Sequence, residues 1–167
     1  DTAVRFCEAN GYGLEIVPMN FSGVIPSVVS GKCDFGLCGI TRTAEREESV
    51  LFSYPNCRGG NAFVVRKADT QLEVTHQTSA RFSKISDLAG KRIGVTVGTT
   101  NAQTASKFVP DAEIVYFDSR PDALIAIKQG KIDAICMGQN TARFLLLENE
   151  DLAILGKPMV TTDTAPI

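Results

Sequence analysis

The pattern G-K-x-D-x-x-x-x-G occurs twice in this chain, at Gly31–Gly39 and again at Gly130–Gly138. Each copy follows a run with apolar residues at helical spacing: Ile25, Val28 and Val29 before the first, Leu124, Ile125 and Ile127 before the second. A single G-K-x-D arises easily by chance. Two copies in the same helix-to-strand context describe two lobes built on one plan.

The rest of the chain supports that alternation. Leu14–Met19 (LEIVPM) reads as a strand, Ser22–Ser30 as a helix with Ser22 at its N-cap and Gly31 as its stop, and Asp34–Cys38 as the next strand. AFVVR at 62–66 is another strand. From residue 91 the pattern is cleaner, with strands at 91–97, 113–117, 132–137 and 152–155. Helices at 101–108 (ended by Pro110), 120–129 and 140–148 lie between them. Strands alternating with helices of this length imply parallel pairing, hence an α/β fold with parallel-containing mixed sheets flanked by helices. The polar stretch Lys67–Ser83 has no periodicity, and a loop that long is uncommon inside a compact domain, so it reads as a crossover between lobes. Residues 1–66 are thereby assigned to the first lobe, 67–158 to the second, and 159–167 to the start of a return segment.

Charge and composition narrow the function classes. The chain has 167 residues, 44% hydrophobic and 22% charged, as expected of a globular protein. A net charge of -2 supplies no basic field for nucleic acid or anionic lipid. No apolar run approaches the roughly 20 residues of a membrane span. None of the cysteines (Cys7, Cys33, Cys38, Cys57, Cys136) stands in a CxxC pair, and their odd number leaves at least one unpaired within the chain. Cys38 and Cys136 lie in apolar runs and read as small core residues. His76 is the sole histidine and sits in the crossover, so neither a metal site nor a histidine base is expected. The phosphate motifs GxGxxG and GxxxxGK[ST] are absent, and no cofactor or catalytic constellation is expected.

Three segments put polar groups at the carboxyl ends of strands, where open α/β sheets bind ligands. The first runs from Gly39 to Arg46. An arginine beside a threonine hydroxyl and backbone N–H groups suits a carboxylate, because the planar guanidinium donates two parallel bonds. Arg42, Glu45, Glu47 and Glu48 read as a solvated charge run. The second is Gly98-Thr99-Thr100-Asn101, a glycine turn into a helix N-terminus, which seats an anion on backbone N–H groups; Thr99 or Thr100 equally reads as an N-cap. The third is Phe21, placed either to stack on a ligand or to pack.

Taken in order, FSGVIPSVVSGKCDFGLCGITRTAER (21–46), Phe52-Ser53-Tyr54-Pro55, ISDLAGKRIGVTVGTT (85–100) and ALIAIKQGKIDAI (123–135) resemble the family 3 bacterial extracellular solute-binding proteins, the polar amino-acid receptors of ABC transporters. The resemblance implies a two-lobed fold of the periplasmic-binding-protein type 2 class, closing on a ligand in an interlobe cleft. Carried over by position, Arg46 binds the ligand carboxylate, Thr41 adds a hydroxyl and Gly39 turns a carbonyl toward the amino group. Thr100, with the Gly98–Asn101 turn, grips the carboxylate from the second lobe, and Phe21 lies against the ligand side chain.

One position departs from the family. An aspartate that pairs with the α-ammonium group is usual where this chain has Gly138, flanked by Gln139 and Asn140. Either Asp118 substitutes, or the ligand lacks an α-ammonium group, or the site has degenerated. Family members also begin with a strand that this sequence does not contain, so the first lobe reads as truncated and a homodimer covering it is expected. The implied function is extracytoplasmic binding, without catalysis, of a small carboxylate-bearing, amino-acid-like solute. It would serve an ABC-transporter permease or a membrane signalling module. The alternatives are a dehydratase-like enzyme on the same fold, acting on a cyclic carboxylate, and a ligand-free interaction domain.

Overall fold

In the computed structural model, which describes residues 2–70 and 81–167, the chain divides into two units. One is Asp1–Cys57 with Thr164–Ile167, and the other is Arg58–Asp163. His76 lies outside the described residues.

The second unit is built on a sheet in which β3 (Arg92–Thr96) runs parallel to both β4 (Glu113–Phe117) and β5 (Ala134–Gly138). β2 (Cys57–Arg66) pairs antiparallel with β5, and β6 (Leu152–Ala165) lies beyond β2. Helices α4 (Asn101–Phe108), α5 (Arg120–Lys128) and α6 (Gln139–Glu148) connect the strands. Alternation along β2 sorts its side chains between two buried faces. Phe63 and Val65 join Ile93, Val95, Ala134 and Cys136 under Ala105 of α4 and Val109, which caps its C-terminus. Ala62 and Val64 join Ile135 and Met137 under Ala123, Ala126 and Ile127 of α5 and Ala142 of α6. Both faces are covered, which is why these strands read as continuous apolar runs.

Residues 58–66, expected with the first lobe, fall in the second unit. The reason is the ladder that β2 forms with β5, from Asn61 opposite Gly138 to Val65 opposite Ala134. The chain therefore passes between units at 57/58 and 163/164 rather than within 67–83. Within the expected crossover, residues 71–80 lie outside the described residues; the Phe82 amide donates to the Asp69 carbonyl at 2.9 Å, and the Phe82 ring is fully buried.

The first unit holds α1 (Thr2–Asn10), α2 (Val24–Val29) after a 3₁₀ turn at Phe21–Gly23, β1 (Ile40–Thr41) and α3 (Ala44–Glu47). The strands expected at 14–19 and 34–38 do not form. A strand needs a partner for its backbone groups, and the ladder here is short: Ile40 pairs with Ala165 and Thr41 with Thr164. Gly36 and Ile167 exchange N–H···O bonds of 2.7 and 3.1 Å just before it. Four steps from Gly36 to Ile40 face two from Ile167 to Ala165, so Leu37–Gly39 bulges outward. Cys38 is consequently exposed rather than in the core. Cys136 is buried, and that burial pushes its thiol up to about 12. None of the five cysteines is in a disulfide. Ile16 stays 76% exposed, and a cavity of about 690 Å³ opens between α1, α2 and the segments 13–19 and 32–38. Ser22 does not cap α2, whose N-cap is Gly23 with no side-chain bond.

The repeat is real at the helix exits. Ser30 and Gln129 both sit at φ -80, ψ -3, followed by Gly31 and Gly130 at φ 72 and 71, a left-handed turn that favours glycine. After that the copies diverge. Asp133 is buried and accepts from the Arg92 amide at 3.0 Å and from Arg81 Nη2 at 2.8 Å. Burial pushes its carboxyl up, but these bonds and the Arg81 and Arg92 charges outweigh that and hold it below its ordinary value. Asp34, its counterpart, is exposed. Among the described residues no helix is long and apolar enough to cross a membrane.

Candidate functional site

In the first unit the site grows from the turn into β1. Gly39 adopts φ 67, and a side chain there would be strained though no atom crowds it. Ile40 anchors the strand in a core with Val50 and Ile167. Thr43 then caps α3 by accepting from the Arg46 amide at 3.3 Å, as a threonine at a helix start does. One turn of helix brings Arg46 back over the strand. Its Nη1 donates to the Thr41 carbonyl at 2.7 Å, and its guanidinium carbon stands 5.7 Å from the centre of the Phe21 ring. Burial lowers the Arg46 pKa and Glu45 opposes the shift, so a permanently charged fork is held half-buried. Phe21 itself packs beside the Ile40–Val50–Ile167 core. It therefore both packs and supports the cation through its π face. Arg42 pairs with Glu47, and Glu45, Glu47 and Glu48 are exposed, so the charge run is solvated as expected.

In the second unit the parallel strands β3, β4 and β5 bring their carboxyl ends to one edge. Gly98 turns the chain at φ 78. The Thr99 hydroxyl donates to the Thr96 carbonyl at 2.7 Å and accepts weakly from the Asn101 amide at 3.4 Å. Thr100 occupies the N-cap position of α4 without a side-chain cap bond, so the capping role falls to Thr99. Behind the turn, Thr104 donates its hydroxyl to the Thr100 carbonyl at 3.2 Å and accepts from Asn61 Nδ2 at 2.6 Å. Gly138, opposite Asn61, has φ -58 and ψ 134, a conformation open to any residue. A Cβ there would meet only the Thr141 hydroxyl, at 3.8 Å. Asp118 lies exposed just past the end of β4.

The structure thus brings Phe21, Thr41 and Arg46 together on the first unit, with Gly39 in the adjoining turn. It gathers Gly98, Thr99, Thr100 and Gly138 at one edge of the second, with Asp118 at the end of the neighbouring strand. Sequence reasoning missed Asn61 and Asn101, both buried to about nine-tenths at that edge. The visible signal for Asn61 was a lone amide immediately before the apolar run of β2. Among the described residues no group of three His, Cys, Asp or Glu side chains could hold a metal ion.

Residues 1–92 match the family described as bacterial extracellular solute-binding proteins, family 3. The chain is 34% identical over 152 residues to a probable histidine-binding protein of Campylobacter jejuni, covering 91% of this chain and 55% of that protein. It is 33% identical over 115 residues to the ABC transporter arginine-binding protein 1 of Escherichia coli, covering 69% and 42%. The structure of holo ArgBP from T. maritima is similar at a TM-score of 0.85 and 33% identity, covering 98% of this chain and 68% of that one. An amino acid ABC transporter substrate-binding protein from Streptococcus pneumoniae bound to L-arginine superposes with a TM-score of 0.87 at 26% identity, over 98% and 66%. The chain spans about half the length of the curated relatives it matches.

Proposed function

Because the chain belongs to the family 3 bacterial extracellular solute-binding proteins, we propose that it is a receptor, working outside the cytoplasm, for a small amino-acid-like solute held by its carboxylate. The observation that carries this reading is Arg46. Its half-buried guanidinium is fixed by the Thr41 carbonyl on one side and the Phe21 ring on the other. Such a fork meets a planar carboxylate with two parallel bonds and with little further loss of rotamer freedom. Thr41 supplies a hydroxyl beside it, and the free backbone geometry at Gly39 sets a carbonyl that can accept from the ligand's nitrogen. Within the second unit, the Gly98–Asn101 turn and the N-terminus of α4 carry backbone N–H groups of the kind that suit an anion.

The relatives named for histidine, arginine, octopine and cystine binding support an amino-acid-like ligand and delivery to an ABC-transporter permease. They are binding proteins, which favours reception over catalysis. A thermal-shift screen of L-amino acids tests the reading. A ligand present at 100 times its dissociation constant adds roughly 2.7 kcal/mol to the folded state. L-Arginine and L-histidine are the first candidates. A clear shift with a carboxylate compound, lost when the carboxylate is amidated, is expected; equal shifts with both forms would refute carboxylate recognition.

A further inference from the structure

We infer that the open edge of β4 docks a second copy of this chain, the two β4 strands pairing antiparallel about a two-fold axis at Val115. β4 ends the strand order, so among the described residues no strand lies on its outer side. Its pairing with β3 fixes which backbone groups face outward. The Glu113 amide donates to the Lys91 carbonyl at 2.9 Å, and the Phe117 carbonyl accepts from the Val97 amide at 3.0 Å. Along a strand, residues whose backbone groups serve one neighbour alternate with residues whose groups face away from it. Glu113, Val115 and Phe117 therefore serve β3, and the N–H and C=O groups of Ile114 and Tyr116 point out of the sheet.

Open edges are usually blunted by lysine, by proline or by a bulge. β4 has none of these: it reads EIVYF, and its register with β3 runs unbroken from Arg92–Glu113 to Thr96–Phe117. Tyr116 stands 61% exposed on it. The strand also matches itself, which is what selects a second copy as the occupant. About Val115, Ile114 of each copy stands opposite Tyr116 of the other, and each such pair exchanges both of its outward backbone bonds. An aromatic ring across from a β-branched side chain is a favourable cross-strand pair, and the two-fold axis makes it twice. The charges agree with this register. Glu113 falls opposite Phe117, Asp118 opposite Ala112 and Asp111 opposite Ser119, so no two carboxylates meet. A strand of five residues spans only about 17 Å, so the contact is small and the dimer is weak, forming as concentration rises.

Sedimentation velocity on the full-length protein over a concentration series, with hydrogen exchange measured at its low and high ends, tests the proposal. A monomer–dimer equilibrium is expected, with the amides of Ile114 and Tyr116 exchanging more slowly as concentration rises. Tyr116→Pro removes an outward donor, leaves the β3 ladder whole and should weaken the dimer by about tenfold or more. Tyr116→Lys, which sets a charge on the edge, should do the same, so that a folding defect in one variant leaves the other decisive. A protein that stays monomeric at millimolar concentration would overturn the proposal. So would a dimer that both substitutions leave unchanged, or one whose formation leaves the Ile114 and Tyr116 amides exchanging as before.

Discussion

Replacing Asp133 by asparagine should destabilise the second unit by about 4 kcal/mol at neutral pH. The carboxylate is buried, accepts from the Arg92 amide at 3.0 Å and pairs with Arg81 at 2.8 Å and Arg92 Nε at 3.5 Å. The two arginine side chains are 45% and 43% exposed, so each pair contributes only about 0.5–1 kcal/mol. The charge-assisted bond from the backbone adds about 1.5 kcal/mol. Asparagine keeps one acceptor, but its NH2 must face one of these donors, leaving it unpaired at a further cost of about 1 kcal/mol. For a protein of this size that lowers the melting temperature by about 8–16 °C. Because the fold holds the Asp133 carboxyl below its ordinary value, its stabilisation is complete above the unfolded value near pH 4 and fades as pH falls through the folded value. Urea melts at pH 7 and pH 3 should therefore show a large gap between wild type and Asp133→Asn that narrows in acid. The counterpart Asp34→Asn, at an exposed site, should stay within about 0.5 kcal/mol at both. A gap for Asp133→Asn that is absent at pH 7, or unchanged at pH 3, would refute the assignment.

The last glycines of the two repeat copies should behave differently in denaturant melts. Gly39→Ala forces a side chain into φ 67 and should cost about 1–2 kcal/mol, whereas Gly138→Ala at φ -58 should be nearly neutral; equal effects would contradict this. Brief alkylation of the native protein with iodoacetamide near pH 8, read by mass spectrometry, should modify exposed Cys57 and spare Cys136. The Cys136 thiol is buried and raised to about 12, and rapid labelling there would contradict its placement.

The second unit was legible in the sequence because each element answers to a local signal. β3 and β4 are apolar runs of strand length, α4 and α5 start at polar caps, and Gly130 stops α5 in a left-handed turn. These elements formed within about two residues of expectation, β5 included. What the sequence could not give was partnership. LEIVPM has the composition of a strand, yet it finds no ladder in the first unit, and Asp34–Cys38 bulges past its short one. AFVVR was read correctly as a strand but placed with the wrong unit, since only its register with β5 decides that. In the site, Arg46 stood out through its motif, and its cradle of Thr41 and Phe21 follows from the capped turn of α3. Asn61 and Asn101 were silent because a buried amide has no periodicity of its own. Asn61 acquires a meaning only through its hydrogen bond to Thr104 and its place opposite Gly138.

The account turns on a carboxylate held by the Arg46 fork, and calorimetry of Arg46 variants measures that most directly. With the best carboxylate ligand from the screen, Arg46→Ala should weaken binding by thirtyfold or more, since truncating one partner of a hydrogen-bonded charge pair costs about 2–5 kcal/mol. Arg46→Lys should recover only part of the loss, because an ammonium group keeps the charge but not the two parallel bonds. A melt of each variant checks that the Thr41 contact and the Phe21 stacking are not needed for folding itself. Wild-type affinity in a folded Arg46→Ala protein would contradict the account.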